Sequence, residues 1–118
     1  MNRAELEAYI GDIYHTPGEQ PWVRYPTYTV FRHGRNRKWF AVIMDIPREK
    51  LGLPGGDAIS VVNLKCDPRL IGSFREEAGI FPGYHMNKAH WLTAILDGTA
   101  EEDTLKFLLD TSYELTRR

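Results

Sequence analysis

The segment from Pro82 to Trp91, PGYHMNKAHW, concentrates side chains that bind ligands: two histidines, an asparagine, a lysine and two large aromatic residues. Imidazoles could hold a metal ion, an amide could contact a nucleotide base, and aromatic rings could stack on one. A metal site needs further ligands at a recognisable spacing. His85 and His90 have no carboxylate or thiol between them, so we expect no metal here.

Nucleophilic catalysis finds little support in the sequence. The single cysteine, Cys66, stands between a lysine and an aspartate before a predicted helix, a setting that can lower a thiol pKa. We favour the alternative of a small apolar residue tucked under that helix. No serine lies in a G-x-S-x-G elbow, and Pro54-Gly55-Gly56 lacks the residues that complete a phosphate-binding loop. We therefore expect a protein without enzyme activity and without a cofactor.

The second candidate site is the basic stretch FRHGRNRKWF between two predicted strands. A projecting β-ribbon can enter a DNA groove, and its cations can contact phosphates. The residues placed to do so are Arg32, Arg35, Arg37 and Lys38. The alternative is an ordinary solvated turn whose charges keep the hairpin soluble. The sequence leaves both interpretations open.

The segment PGYHMNKAHW is predicted to form another hairpin with a polar tip. Amide and ammonium groups there could contact base edges or phosphates. The candidate DNA-contacting residues of this hairpin are His85, Asn87, Lys88 and His90. For the apolar side chains we expect core positions, and these are Tyr84, Met86 and Trp91.

The charge is unevenly distributed. The net charge of the 118 residues is −1, but residues 20–50 carry seven basic against two acidic side chains, whereas residues 1–19 and 97–118 are each at −3. A basic middle between acidic ends points to a polyanionic partner such as double-stranded DNA. No run approaches the roughly 18 apolar residues of a membrane span, and the acidic N-terminus is unlike a signal peptide. We expect a cytoplasmic protein with no membrane association.

The hydrophobic patterning predicts the order α-β-β-β-α-β-β-α in a single domain, residues 1–118. The predicted helices are 2–15, 67–79 and the segment from 99 onward, and the predicted strands are 28–32, 39–46, 58–64, 80–86 and 90–96. The strands come in hairpins, so the five-stranded sheet should be mainly antiparallel. Each helix has one apolar face, which predicts a two-layer α+β sandwich. Capping boxes are expected at Asn2/Glu5 and Thr99/Glu102.

Further local signals predict the ends and faces of these elements. Asp67-Pro68 is expected to start the second helix, with the acid as N-cap and proline at the first helical position. Alternation along the third strand places Ile59 and Val61 on one face and Val62 and Leu64 on the other. The apolar sides of the second and third helices are expected to include Leu70, Ile71 and Phe74, and Leu105, Leu108 and Leu109, respectively.

Several segments together resemble the MmcQ/YjbR-like family of small bacterial proteins. They are LKCDP at 64–68, PGYHMNKAHW, LDG at 96–98 and SYEL at 112–115, in order and spacing over nearly the whole chain. The resemblance implies a cytoplasmic α+β domain with a fold like CyaY or the secretion chaperones. The family is described as DNA-binding through a double wing of hairpins. On this chain the wings would be the two polar hairpins described above, and no catalytic residue follows from the resemblance.

The leading hypothesis is a non-enzymatic DNA-binding protein that uses these two hairpins. The rival is a protein-binding adaptor or chaperone-like module with no nucleic-acid role. Its groove would lie on the sheet or around Trp22 and the loop from Pro21 to Pro26. A third, minor hypothesis is a small ligand bound near the histidines.

Overall fold

The computed structural model describes residues 1–118 as three α-helices and a five-stranded sheet. In chain order the elements are α1 (Arg3–Tyr14), β1 (Thr29–Arg32), β2 (Trp39–Pro47), a 3₁₀ turn (Arg48–Leu51), β3 (Ala58–Lys65), α2 (Pro68–Phe74), β4 (Ile80–Pro82), β5 (Trp91–Ile95) and α3 (Glu102–Thr116). The strands lie in the order β1-β2-β3-β5-β4, and every neighbouring pair is antiparallel. The predicted α+β architecture and element order are confirmed.

Helix α1 begins after Asn2 and ends before His15, as its local sequence predicts. The Asn2 side chain accepts a hydrogen bond from the backbone N–H of Glu5, and the Glu5 carboxylate accepts one from the Asn2 N–H, each at 2.9 Å. This reciprocal capping box satisfies two N–H groups that have no partner within the helix. His15 terminates the helix in the left-handed conformation, with φ of 51°.

The two faces of the sheet are covered differently. Along β3, Val62 and Leu64 join the core cluster that contains the buried side chains of all three helices, whereas Ile59 and Val61 point to the opposite face. No helix covers that opposite face, which we call the open face. Its apolar strand residues are shielded by aromatic and aliphatic side chains from loops and strand ends, namely Trp22, Tyr28, Trp39, Leu51, Leu53, Phe81 and Tyr84.

Helix α2 is shorter than predicted, and its apolar stripe is narrower. It ends at Phe74 rather than near Gly79, because the hydrogen bonds that follow run from Glu76 to Ser73 and from Glu77 to Phe74, a tighter i to i−3 pattern. Leu70, expected on the buried stripe, is 40% exposed. The predicted N-cap is correct, since the Asp67 side chain accepts from the backbone N–H two residues on.

The second predicted hairpin is wrong in its first strand. β4 ends at Pro82. The N–H of Gly83 still bonds the carbonyl oxygen of Trp91, but the N–H of Tyr84 bonds the side chain of Thr93 instead of the backbone of β5. Residues 83–90 therefore form a loop, and β5 begins at Trp91.

The predicted capping box of α3 does not form. Asp97 accepts from the N–H of Thr99 in a local turn, and the helix begins later, with Glu101 as an N-cap that makes no side-chain bond. The predicted apolar side of the helix is correct, since Leu105, Leu108 and Leu109 are buried. No helix in the structure has the length and apolar character needed to cross a membrane.

Candidate functional site

The tip of the β1–β2 hairpin is attached to the end of α3. His33 is buried, and its Nε2 lies 2.8 Å from the hydroxyl oxygen of Thr116. The side-chain amide of Asn36 donates to the backbone oxygens of Thr116 and Arg118. A projecting wing was one of the two interpretations that the sequence left open, but three side-chain hydrogen bonds hold this turn against the helix.

The four basic residues of this hairpin have different surroundings. Arg32 is largely covered and pairs with Glu19 at 2.9 Å. Arg37 is 65% exposed and lies 4.0 Å from the same carboxylate, while the ammonium of Lys38 donates to the backbone oxygen of Arg118 at 2.6 Å. Arg35 is exposed at the turn. Arg32 therefore serves mainly to hold the 15–20 segment, and the other three cations face solvent.

The loop at residues 83–90 is closed by its own polar groups. The Asn87 side chain accepts from the N–H of Ala89, and the Lys88 ammonium donates to the carbonyl oxygen of Gly83 at 2.9 Å. His85 is exposed, and His90 is half-buried. The sequence-predicted residues of this segment are thus at the surface, but two of them also stabilise the loop.

A serine hydroxyl of α3 lies between β2 and β3 at one end of the sheet. The buried hydroxyl of Ser112 donates to the carbonyl oxygen of Phe40 at 2.6 Å and accepts from the N–H of Lys65 at 2.8 Å. These two backbone groups would otherwise face each other across the sheet, since the pairing of the two strands starts at Val42 and Asn63. The strands therefore part here, and α3 is bonded to both.

Beside the gap between β2 and β3 lies a basic depression lined by two tryptophans, with a volume of about 340 Å³. We call it the tryptophan depression. Its lining residues are Arg37, Lys38, Trp39, Lys65, Trp91 and Thr116. Lys65 and Trp91 are directly paired across β3 and β5. No carboxylate lines this surface, and although Glu19 lies 4.0 Å from Arg37, the three cations together create a positive potential next to two indole rings. Trp91 is half-buried in this surface and is not part of the core, which corrects the sequence prediction.

A second depression on the open face, the aromatic cleft, has a volume of about 250 Å³. Its walls are formed by Trp22, Tyr25, Tyr28, Trp39, Tyr84, His85 and Met86, and its floor by Val42, Met44 and Asn63. The Trp22 ring packs edge-on against the rings of Trp39 and Tyr28, with centroid distances of 5.5 Å and 6.1 Å, respectively. Burial raises the pKa of Tyr28 above its ordinary value.

A buried polar network fixes the loop wall of the aromatic cleft. Asn63 is fully buried; its Oδ1 accepts from the hydroxyl of Thr93 at 2.5 Å, and its Nδ2 donates to the carbonyl oxygen of Tyr84 at 2.9 Å. The same Thr93 oxygen accepts from the N–H of Tyr84 at 2.7 Å. A satisfied buried network of this kind holds a loop in one conformation.

A third depression, the Lys50–Lys88 depression, borders the cleft on its other side. It has a volume of about 270 Å³ and is lined by Lys50, Leu51, Phe81, Pro82, Tyr84 and Lys88. Tyr84 belongs to both this depression and the aromatic cleft, just as Trp39 belongs to the cleft and the tryptophan depression. The open face thus carries an apolar aromatic cleft between two basic surfaces.

The structure offers no cluster of three metal-ligating side chains. Cys66 is buried in the core, and burial, with the neighbouring Asp67, raises the pKa of its thiol. A raised thiol pKa disfavours the reactive thiolate. This agrees with the packing interpretation of the cysteine.

The sequence interpretation missed Lys65 as a binding residue, and it missed that Trp39 and Tyr84 each line two neighbouring depressions. Lys65 is the last residue of β3, and the sequence suggested no binding role for it. The alternation of side chains along a β-strand could have indicated its position. Residues two apart share a face, so Lys65 lies on the same face as Asn63 and Val61. The neighbours of that face come from distant segments, which only the folded chain brings together.

Comparison with known proteins gives several similar chains. Uncharacterized protein YyaQ of Bacillus subtilis (strain 168) is 38% identical over 117 residues, 99% of either chain. A Pseudomonas syringae protein of known crystal structure has a TM-score of 0.97 at 44% identity, covering 99% of this chain and all of the other. Deinococcus radiodurans protein DR2400 has a TM-score of 0.71 at 26% identity, covering 97% and 77%.

The family model described as YjbR matches residues 4–115, which include both candidate hairpins and every residue of the open-face cleft. The resemblance found from the sequence segments is therefore confirmed. The chain belongs to the YjbR family.

Proposed function

We propose that this protein binds nucleic acid through the open face of its sheet, without catalysing a reaction on it. The observation that supports this most is the tryptophan depression, where Arg37, Lys38 and Lys65 surround two indole rings with no carboxylate among the lining residues. Cations contact phosphates, and exposed aromatic side chains add stacking or van der Waals contact. The proposal moves the binding surface from the hairpin tips to the sheet.

The expected affinity is modest and strongly dependent on salt. Each neutralised phosphate changes the slope of log K against log salt by about −0.9 for a duplex. Three lining cations therefore predict a slope of roughly −2 to −3. The net charge of −1 gives little long-range attraction, so the binding would be of the weak, sequence-independent kind, in the range of about 10⁻⁴ to 10⁻⁶ M at physiological salt.

Fluorescence anisotropy of a short labelled duplex at about 50 and 200 mM salt tests the proposal. Lys65→Gln should weaken binding and make the salt slope shallower by about one. Arg75→Gln is the matched control, since Arg75 is an exposed cation at the end of α2, whose buried residue packs in the helix-side core. Absence of binding at low salt, or equal effects of both variants, would contradict the proposal.

A substitution of Arg35 distinguishes binding by the sheet surface from binding by a projecting hairpin tip. It is exposed at the turn but does not line the tryptophan depression. If the sheet surface binds the phosphates, Arg35→Gln should weaken binding less than Lys65→Gln. A larger effect of Arg35→Gln would favour insertion of the hairpin tip into a groove.

A protein-binding adaptor is the second candidate function, because the aromatic cleft is mostly apolar and lies where the adaptor hypothesis expected a groove, beside Trp22. Burial of apolar surface is not screened by salt, unlike phosphate contacts. A protein partner seated in the cleft would therefore be retained after nuclease treatment and at high salt. A polyanion bound to the same face would be released under those conditions.

A further inference from the structure

We infer that the open face selects single-stranded nucleic acid, because the aromatic cleft takes one unpaired base while the basic depressions on either side take the flanking phosphates. This inference rests on the proposed function and specifies the form of nucleic acid that it involves.

The three depressions of the open face are continuous with one another. The aromatic cleft shares Trp39 with the tryptophan depression and Tyr84 with the Lys50–Lys88 depression. Positive charge therefore lies on both sides of an apolar, aromatic centre, and no Asp or Glu lines any of the three. A single strand presents the same alternation, in which phosphates flank an exposed base.

The volume and the lining of the aromatic cleft fit a single base. Its volume of about 250 Å³ is below the roughly 300–1,000 Å³ of sites that take drug-sized ligands, which suits a single ring system. Indole and phenol rings make up most of its walls. Stacking on aromatic side chains is the usual way in which proteins hold unpaired bases without regard to sequence.

Contacts within the chain hold both walls of the cleft in place. The Asn63–Thr93 network fixes the backbone of Tyr84, and the edge-to-face contact of Trp22 with Trp39 fixes the opposite wall. The His85 ring stacks on the Tyr84 ring, with a centroid distance of 3.9 Å and an interplanar angle of 16°. The backbone φ of His85 is 58°. A positive φ outside glycine is uncommon, and here it keeps an exposed imidazole parallel to the wall. A preformed site loses less entropy on binding than a mobile one.

A duplex cannot use the cleft in this way. Its bases are stacked on one another, and exposing the face of one requires unstacking and unpairing at a cost in free energy. A duplex can therefore reach only the cations of the two basic depressions. The prediction is a preference of the unmodified protein for a single strand over a duplex of equal length.

The experiment compares labelled oligothymidylate with its duplex by anisotropy at low salt, using the whole chain. Tyr84→Leu should weaken single-strand binding about five- to a hundredfold, the range for losing one base stack, and leave duplex binding unchanged. Tyr84→Phe, the matched control, keeps the ring and should keep the affinity. Lys65→Gln should weaken both forms.

Each other outcome has a defined meaning. Equal affinity of the unmodified protein for both forms, or a Tyr84→Leu effect equal on both, would overturn the inference. If Lys65→Gln weakens binding while Tyr84→Leu does not, the inference fails and the proposed function stands. If the protein binds neither the single strand nor the duplex, both the inference and the proposed function fail, and a protein partner becomes the candidate occupant of the cleft. Should Tyr84→Leu unfold, Tyr25→Leu replaces it, since Tyr25 is 47% exposed and stacks on the rim residue Tyr28 at 4.9 Å.

Discussion

The Nε2 of His33 lies 2.8 Å from the hydroxyl oxygen of Thr116, and this contact joins the tip of the β1–β2 hairpin to the last turn of α3. The Thr116 hydroxyl itself donates to the carbonyl oxygen of Ser112 at 2.7 Å. Since its single proton is used there, the imidazole must be the donor to Thr116. The hairpin that the sequence presented as a free wing is thus anchored by a buried hydrogen bond.

The first prediction concerns this anchor. Thr116→Val keeps the side-chain shape but removes the acceptor of the His33 N–H, so the free energy of unfolding should fall by about 1–3 kcal/mol. Urea denaturation followed by circular dichroism measures the change. Thr111→Val, at a half-buried position of the same helix, is the control and should cost clearly less. Equal losses in the two variants would mean that the His33 contact contributes nothing.

The second prediction is a pH dependence of stability. Burial is the main cause that lowers the pKa of His33 below 6.5, because it disfavours the charged imidazolium. The stability that neutral His33 contributes is therefore complete above the unfolded-state pKa of about 6.5 and is lost as the pH falls through the lower folded-state pKa. Urea midpoints should decrease between pH 7.5 and 5, and the decrease should be smaller in His33→Gln. An identical decrease in both proteins would assign it to other groups.

The third prediction concerns the bridging hydroxyl of Ser112. Ser112→Ala leaves the carbonyl of Phe40 and the N–H of Lys65 without their partner inside the protein, so we expect a loss of about 2 kcal/mol or more. Hydrogen exchange of the Lys65 amide should accelerate along with the loss of stability. Ser73→Ala, at an exposed position, should change neither quantity. If Ser112→Ala changes neither the stability nor the exchange rate of the Lys65 amide, water or strand pairing replaces the hydroxyl.

The fourth prediction separates two apolar residues that the sequence alone placed together in the core. Leu109 is fully buried under the sheet, so Leu109→Ala should cost about 2–5 kcal/mol. Trp91 is half-buried in the tryptophan depression, so Trp91→Ala should cost less than Leu109→Ala despite removing a larger side chain. Thermal melting of the two variants gives the order, and the reverse order would mean that Trp91 packs as a core residue.

Local chemistry made much of the fold predictable. The Asn2/Glu5 capping box and the Asp67-Pro68 start act over a few residues, and both formed as predicted. The alternation along β3 likewise assigned its side chains to the correct faces. One prediction failed because a near neighbour competed, since Asp97 takes the N–H of Thr99 where the capping box of α3 was expected. Another failed because a distant group competed, since the Thr93 hydroxyl takes the Tyr84 N–H that the predicted strand needed.

The candidate site was predictable only in part, for a related reason. The sequence determined which cations stand beside the β1–β2 turn, which faces of the strands are apolar, and that the middle of the chain is basic. Only the tertiary structure decided that Arg32 is neutralised by Glu19, that the turn is tied to Thr116, and that Trp39 and Lys65 border one depression. Local patterns fix what a few neighbouring residues do, whereas a surface built from three strands and two loops depends on strand register and on bonds between segments far apart in the chain.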